Sequence, residues 1–173
     1  MTTKTSQATA PTQTTTPGAV RLDIDAAAPT FSRAMSQLDR AATKELDAAE
    51  IDHRLRELIR VRASQLNGCA YCVDMHTKDA RAVGETEQRL YALPVWREVP
   101  FFDARERAAL AFTEQLTLVA STHVPDEAYG AAAKVFTEPE IAALICLITT
   151  INAWNVLGVS TRSWEPGSYQ PGS

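Results

Sequence analysis

Two cysteines and a histidine stand close together in NGCAYCVDMH, residues 67–76. Cys69 and Cys72 are three positions apart, and His76 follows Cys72 by four. A CxxC pair lets one sulfur attack while the other closes a disulfide. The N-terminus of a helix favours thiolate over thiol. An unperturbed thiol has a pKa of about 8.5, so modest help raises the reactive fraction at neutral pH. On a helix, His76 shares the face of Cys72 one turn on. That is close enough to exchange a proton with its sulfur, directly or through one water. Cys69 is two turns from His76, roughly 10 Å along the axis. Helix-end position therefore favours Cys69 as the activated thiol, and proximity to a base favours Cys72; the histidine partnership ranks first.

From these residues alone three outcomes stay open: a redox pair, a zinc site, or two packed thiols. A structural zinc takes four protein ligands. Cys69, Cys72 and His76 supply three, and only Glu57 offers a fourth. A histidine base works better when a carboxylate orients it. Glu57 is the candidate, although it falls off the apolar stripe of its helix, as a solvated glutamate would.

The elements that must hold these groups read as helices. Phe31, Ala34, Met35 and Leu38 recur at helical spacing, which places Phe31 and Met35 in a core. Asp47 and Glu50 have capping-box spacing and predict the start of a second helix. Its stripe is Leu55, Leu58, Ile59, Ala63 and Leu66, and Asn67-Gly68 breaks it. A third helix is expected from about Cys69 to Val83, with Gly84 as its stop. A short turn of helix is expected near ETEQRLYAL. Asp103 and Glu106 predict a helix to about Ala120, Pro125 the first turn of another ending near Val135, and Thr137 with Glu140 a last one to about Leu157. No period-2 strand pattern appears, so the fold class is all-α. The last helix is apolar nearly all round, which suits a core or a subunit interface.

The chain has 173 residues, 45% of them hydrophobic, enough for one domain with a real core. Its net charge of −4 provides no basic footprint for nucleic acid. Three cysteines do not make a disulfide-stapled scaffold. Residues 1–18 are polar and poor in large apolar groups, so a disordered tail is expected there, followed by one domain over 19–173. The tail has no apolar stretch of the secretory kind. The longest apolar run, IAALICLITTI, has eleven residues, short of a bilayer span. The expected location is the cytoplasm, without membrane contact, where a CxxC is more often redox-active or metal-binding than structural.

The stretch ELIRVRASQLNGCAYCVDMHTKDARAVG resembles the core motif of the alkylhydroperoxidase AhpD-like proteins, in the carboxymuconolactone decarboxylase superfamily. That pattern is a Glu, a Cys-x-x-Cys twelve residues on, and a His four after the second Cys. Glu57, Cys69, Cys72 and His76 keep every spacing. Arg62, Ser64, Gln65 and Asn67 also fit, and INAWNVLGVSTR is similar to the family's Asn-Ala-Trp-Asn segment. The resemblance covers residues 30–165 or so. It implies an all-α bundle assembled as a homotrimer or homohexamer. It implies a thiol peroxidase in which Cys72 attacks the hydroperoxide, Cys69 resolves the sulfenic acid, His76 is the base and Glu57 its partner. Neither metal nor organic cofactor is implied. The reductant would be a dithiol, such as the lipoyl-bearing protein that serves AhpD. AhpD carries a histidine just before the second cysteine, and this chain has Tyr71, a pocket residue or a packed aromatic. The decarboxylase branch generally lacks the cysteine pair, which argues against lyase activity. A general dithiol–disulfide oxidoreductase and a non-catalytic redox sensor are the alternatives on the same residues.

Asp74 and Lys78 are expected as an exposed i, i+4 ion pair. Cys146 reads as a buried inert thiol, His53 and His123 as solvated, and Trp154 as core or interface. Asn152 and Asn155 are assigned to helix ends or a subunit contact.

Overall fold

The computed structural model describes residues 18–172. The tail expected over residues 1–18 lies outside the described residues except for Gly18. Within them the chain is helical and contains no strand.

A one-turn helix, α1 (Ile24–Ala27), is capped by Asp23 and leads into α2 (Pro29–Ala48), which has Pro29 in its first turn. The inward side of α2 is Met35, Ala42 and Leu46. Phe31 and Leu38, expected on the same stripe, remain 54% and 44% exposed. Helical spacing aligns residues, but only a facing element buries them. The helix does not restart at the Asp47–Glu50 pair. Asp47 still belongs to α2, and Glu50 has φ 52° in the connecting turn. The cap is Asp52, whose carboxylate accepts from the Arg54 and Leu55 N–H groups and opens α3 (His53–Asn67). Both Asp47 and Asp52 can cap; burial of Ile51 in the core favours a turn between them.

Gly68, at φ 69°, ends α3 in the left-handed conformation that glycine adopts freely. Cys69 follows at once as the N-cap of α4 (Ala70–Ala82). Gly84, at φ 92°, ends the turn after it. The chain continues through α5 (Glu87–Ala92), a 3-10 segment (Leu93–Glu98) and α6 (Ala104–Thr117). The Asp103–Glu106 capping box of α6 forms as expected. Next come α7 (Val119–Thr122) and α8 (Asp126–Ala133), with Pro125 at the N-cap rather than inside the first turn. The Thr137–Glu140 box opens α9 (Glu138–Thr161), which runs past Leu157.

The bundle is built around α3, which packs on α4, α6 and α9, while α2 lies along α9. One core cluster joins Leu46, Leu55, Ile59, Phe112, Leu144 and Leu147. A second joins Leu58, Val61, Leu93, Trp96, Phe102 and Leu110. Helix α9 has 24 residues, and an 18-residue window within it has mean hydropathy 1.8, long and apolar enough by those measures to cross a bilayer. The eleven-residue run thus understated it. Half of that window is buried inside the fold, which accounts for an apolar composition with little sidedness.

Candidate active site

Cys69 and Cys72 lie with Ala63 and Ile151 in a third, small buried cluster, flanked by Tyr71 and Trp154. They are 2% and 4% exposed. Their sulfurs are joined in a disulfide, with Cα atoms 5.3 Å apart. The N-cap position explains the local geometry: Cys69 N–H donates to the Ser64 carbonyl at 3.0 Å, and Cys69 Sγ accepts from the Cys72 N–H at 3.4 Å. One backbone donor of the first turn of α4, the Cys72 N–H, therefore faces sulfur.

Glu57 is not on a solvated face. Because α3 is packed by helices on several sides, its polar residues are enclosed too, and Glu57 is only 7% exposed. Its Oε2 lies 2.9 Å from His76 Nδ1, and its Oε1 accepts from Arg60. Burial pushes the Glu57 carboxyl up, but the His76 hydrogen bond and the Arg60 charge outweigh it and hold it below the usual carboxylate range. Donation from Nδ1 to this carboxylate leaves His76 Nε2 as the proton acceptor.

A cavity of about 620 Å³ opens beside this group. Cys72, His76 and Tyr71 line it, whereas Cys69 does not. Helix α2 contributes polar residues to its walls, among them Ser36 and Arg40. Part of the wall is aromatic: the Trp164 ring packs at 5.8 Å from Tyr71 and 5.7 Å edge-on to Trp154. Tyr71 is thus both a pocket residue and a packed aromatic. Burial, with Asp74 and Asp79 nearby, pushes its phenol up.

Several residues fall elsewhere than expected. Trp154 lines the cavity instead of serving only as core. His53 and His123 are exposed, as expected, although His53 also lines the cavity. Cys146 is half-buried on α9, because that helix turns its residues 145 and 146 partly outward. Asp74 and Lys78 do pair, at 2.9 Å, but are mostly covered: the C-terminal segment crosses them, Gly167 N–H donating to Asp74 and Lys78 donating to the Tyr169 carbonyl. Asn152 and Asn155 do secure a helix end. Asn67 donates to both, at 2.7 and 2.9 Å, and Asn155 donates to Ser64 Oγ at 3.0 Å.

Four residues of the site were not singled out from the sequence. Arg60 and Asp79 stand one turn from Glu57 and His76, a spacing that could have revealed them. Asp79 Oδ2 is 3.8 Å from His76 Nδ1, and its Oδ1 accepts from Tyr169 at 2.7 Å. Burial and that bond to Asp79 push the Tyr169 phenol up to about 12. Trp164 and Tyr169 arrive from the far end of the chain and carry no local signal. Glu57, His76 and Asp79 present donor atoms within 4.8 Å of one another. The Arg60 guanidinium on Glu57 opposes a cation there, and the paired sulfurs are not part of that set.

The family model for the carboxymuconolactone decarboxylase family matches residues 29–115. The uncharacterised protein YdfG of Bacillus subtilis is 46% identical over 112 residues, covering 65% of this chain and 76% of that protein. The fold superposes with TM-score 0.79 and 36% identity on an Agrobacterium tumefaciens protein of unknown function, described in terms of the antioxidant-defence protein AhpD. That match covers 86% of this chain and 99% of the other. A peroxidase-related protein of Silicibacter sp. TM1040 matches with TM-score 0.69 over 80% of this chain and 72% of its own, and at 23% identity shares the fold.

Proposed function

The chain belongs to the carboxymuconolactone decarboxylase family and has its AhpD-like fold, and from that premise we propose that it is a thiol peroxidase cycling Cys69 and Cys72 between dithiol and disulfide. The observation that carries this is Cys72 on the cavity wall with His76, whose ring is held by a buried carboxylate. In the reduced protein His76 Nε2 takes the Cys72 proton. The thiolate attacks one oxygen of a hydroperoxide, the O–O bond breaks, and the other oxygen leaves as an alcohol with the proton returned by His76. Cys72 is then a sulfenic acid. Cys69 attacks that sulfur, and water leaves as the disulfide closes. An external dithiol reopens it.

Small hydroperoxides fit a buried pair better than protein disulfides do. Sulfurs this enclosed are reached through a cavity, not by a folded partner's surface, which disfavours the general oxidoreductase. No metal or organic cofactor has a step to perform. A lipoyl-bearing protein as the dithiol source, a cytoplasmic setting, and assembly as a homotrimer or homohexamer complete the proposal. The test is repeated turnover. With excess dithiothreitol the protein consumes many equivalents of organic hydroperoxide, and Cys72→Ser abolishes this. A single equivalent consumed per chain, with no further turnover, contradicts the peroxidase and favours a redox sensor.

A further inference from the structure

We propose that Gly158 is a positioning residue for the cysteine pair: its bare Cα on α9 forms the slot that holds the Cys69 sulfur, so that Cys72 is the sulfur free to move in the cavity. A Cβ built at Gly158 would stand 2.9 Å from Cys69 Sγ, and 3.8 Å from both Cys72 Sγ and Trp164 Cζ3. The first distance lies well inside the separation at which non-bonded heavy atoms attract. Five of the described glycines sit at positive φ, which accounts for them through the backbone. Gly158 does not: it is a helical residue in the last turn of α9. Gly130, in α8, has nothing within 4 Å of its Cβ position. The close approach to sulfur is therefore specific to Gly158.

Tied in the disulfide, the sulfur in the slot has little room to yield. Cys69 is the N-cap of α4, its N–H is bonded to the Ser64 carbonyl, and its side chain is 2% exposed. Cys72 instead lines the cavity. This asymmetry divides the work of the cycle, and to that extent it rests on the peroxidase reading. Cys72 leaves the disulfide position to meet the hydroperoxide and returns as a sulfenic acid. Cys69 waits in the slot, forms the S–S bond, and expels the sulfenic oxygen as water with its own thiol proton. In the reverse half, one thiolate of the dithiol attacks the Cys72 sulfur from the cavity. Cys69 leaves as thiolate, and the second reductant thiol then releases Cys72.

Gly158→Ala tests the slot. A methyl group against Cys69 penalises the disulfide, in which the sulfur is tied, more than the dithiol, in which it can rotate. Equilibration with dithiothreitol redox buffers, followed by alkylation and mass spectrometry, should show the couple shifted at least tenfold toward dithiol, a potential about 30 mV higher. Gly130→Ala should match the wild type. In a Cys69→Ala background, which removes the clashing sulfur, Gly158→Ala should no longer lower the Tm. A wild-type equilibrium in Gly158→Ala, or an equal loss of Tm in both backgrounds, overturns the proposal. If Gly158→Ala does not fold, folding of Cys69→Ala/Gly158→Ala supports the slot and its failure to fold overturns it. No peroxide enters these measurements, so a protein that fails as a peroxidase can still pass them.

Discussion

Glu57 shows how much a single residue's role depends on what surrounds it. Its spacing to Cys69 marked it, yet its position off the apolar stripe suggested solvent. Burial against His76 and Arg60 decides the matter. Its folded-state pKa is depressed below the ordinary 4.5. The sign follows from linkage: a depressed carboxylate contributes stability that is fully present above about 4.5 and lost as pH falls through the lower folded-state value. Glu57→Gln removes that dependence. Urea unfolding at a series of pH values below neutrality should show the wild type losing stability more steeply than Glu57→Gln on the acid side; parallel curves would refute the assignment. The same variant keeps a hydrogen-bond partner for His76 but not the charge. It should slow oxidation of Cys72 by about tenfold or more at neutral pH, measured by stopped-flow under single-turnover conditions.

Among the elements, the site depends most on the junction of α3 and α4 and on its seam with α9. Gly68 turns the chain so sharply that Cys69 caps the next helix directly. Asn67, Asn155 and Ser64 bind that junction to α9. Asn155 is fully buried, so removing its amide leaves polar partners without replacement. Asn155→Ala should cost about 2 kcal/mol of unfolding free energy, read from denaturant midpoints at constant m. A loss below about 0.5 kcal/mol, the range of ordinary surface substitutions, would contradict the structural role. The helices themselves were legible in the sequence wherever caps and periodicity agreed, as at Asp103, Thr137 and Gly68. They were misread where two capping residues competed, as at Asp47 and Asp52, because only packing of Ile51 chooses between them. The solvent side of α2 was misread for the same reason, since a stripe containing Phe31 does not say what will face it.

At the scale of the molecule, the two ends of the described chain meet over the site. The Arg21 and Leu22 N–H groups donate to the Thr161 carbonyl, and Trp164 Nε1 donates to Asp25 at 3.2 Å. Trp164 thereby lines the cavity, and Tyr169 donates to Asp79 beside His76. The four residues Glu57, Cys69, Cys72 and His76 were readable because they occupy consecutive helices. Trp164, Tyr169 and Gly158 were not, because long-range closure alone brings them in. The same closure distinguishes the two sulfurs: Cys72 faces the cavity, and Cys69 faces α9. The most direct test treats reduced Cys69→Ser and Cys72→Ser separately with hydroperoxide and a sulfenic-acid trap, and locates the adduct by mass spectrometry. The trap should label Cys72 in Cys69→Ser and leave Cys69 unlabelled in Cys72→Ser. Labelling of Cys69 in Cys72→Ser, at the rate at which the wild-type protein is oxidised, would contradict the account.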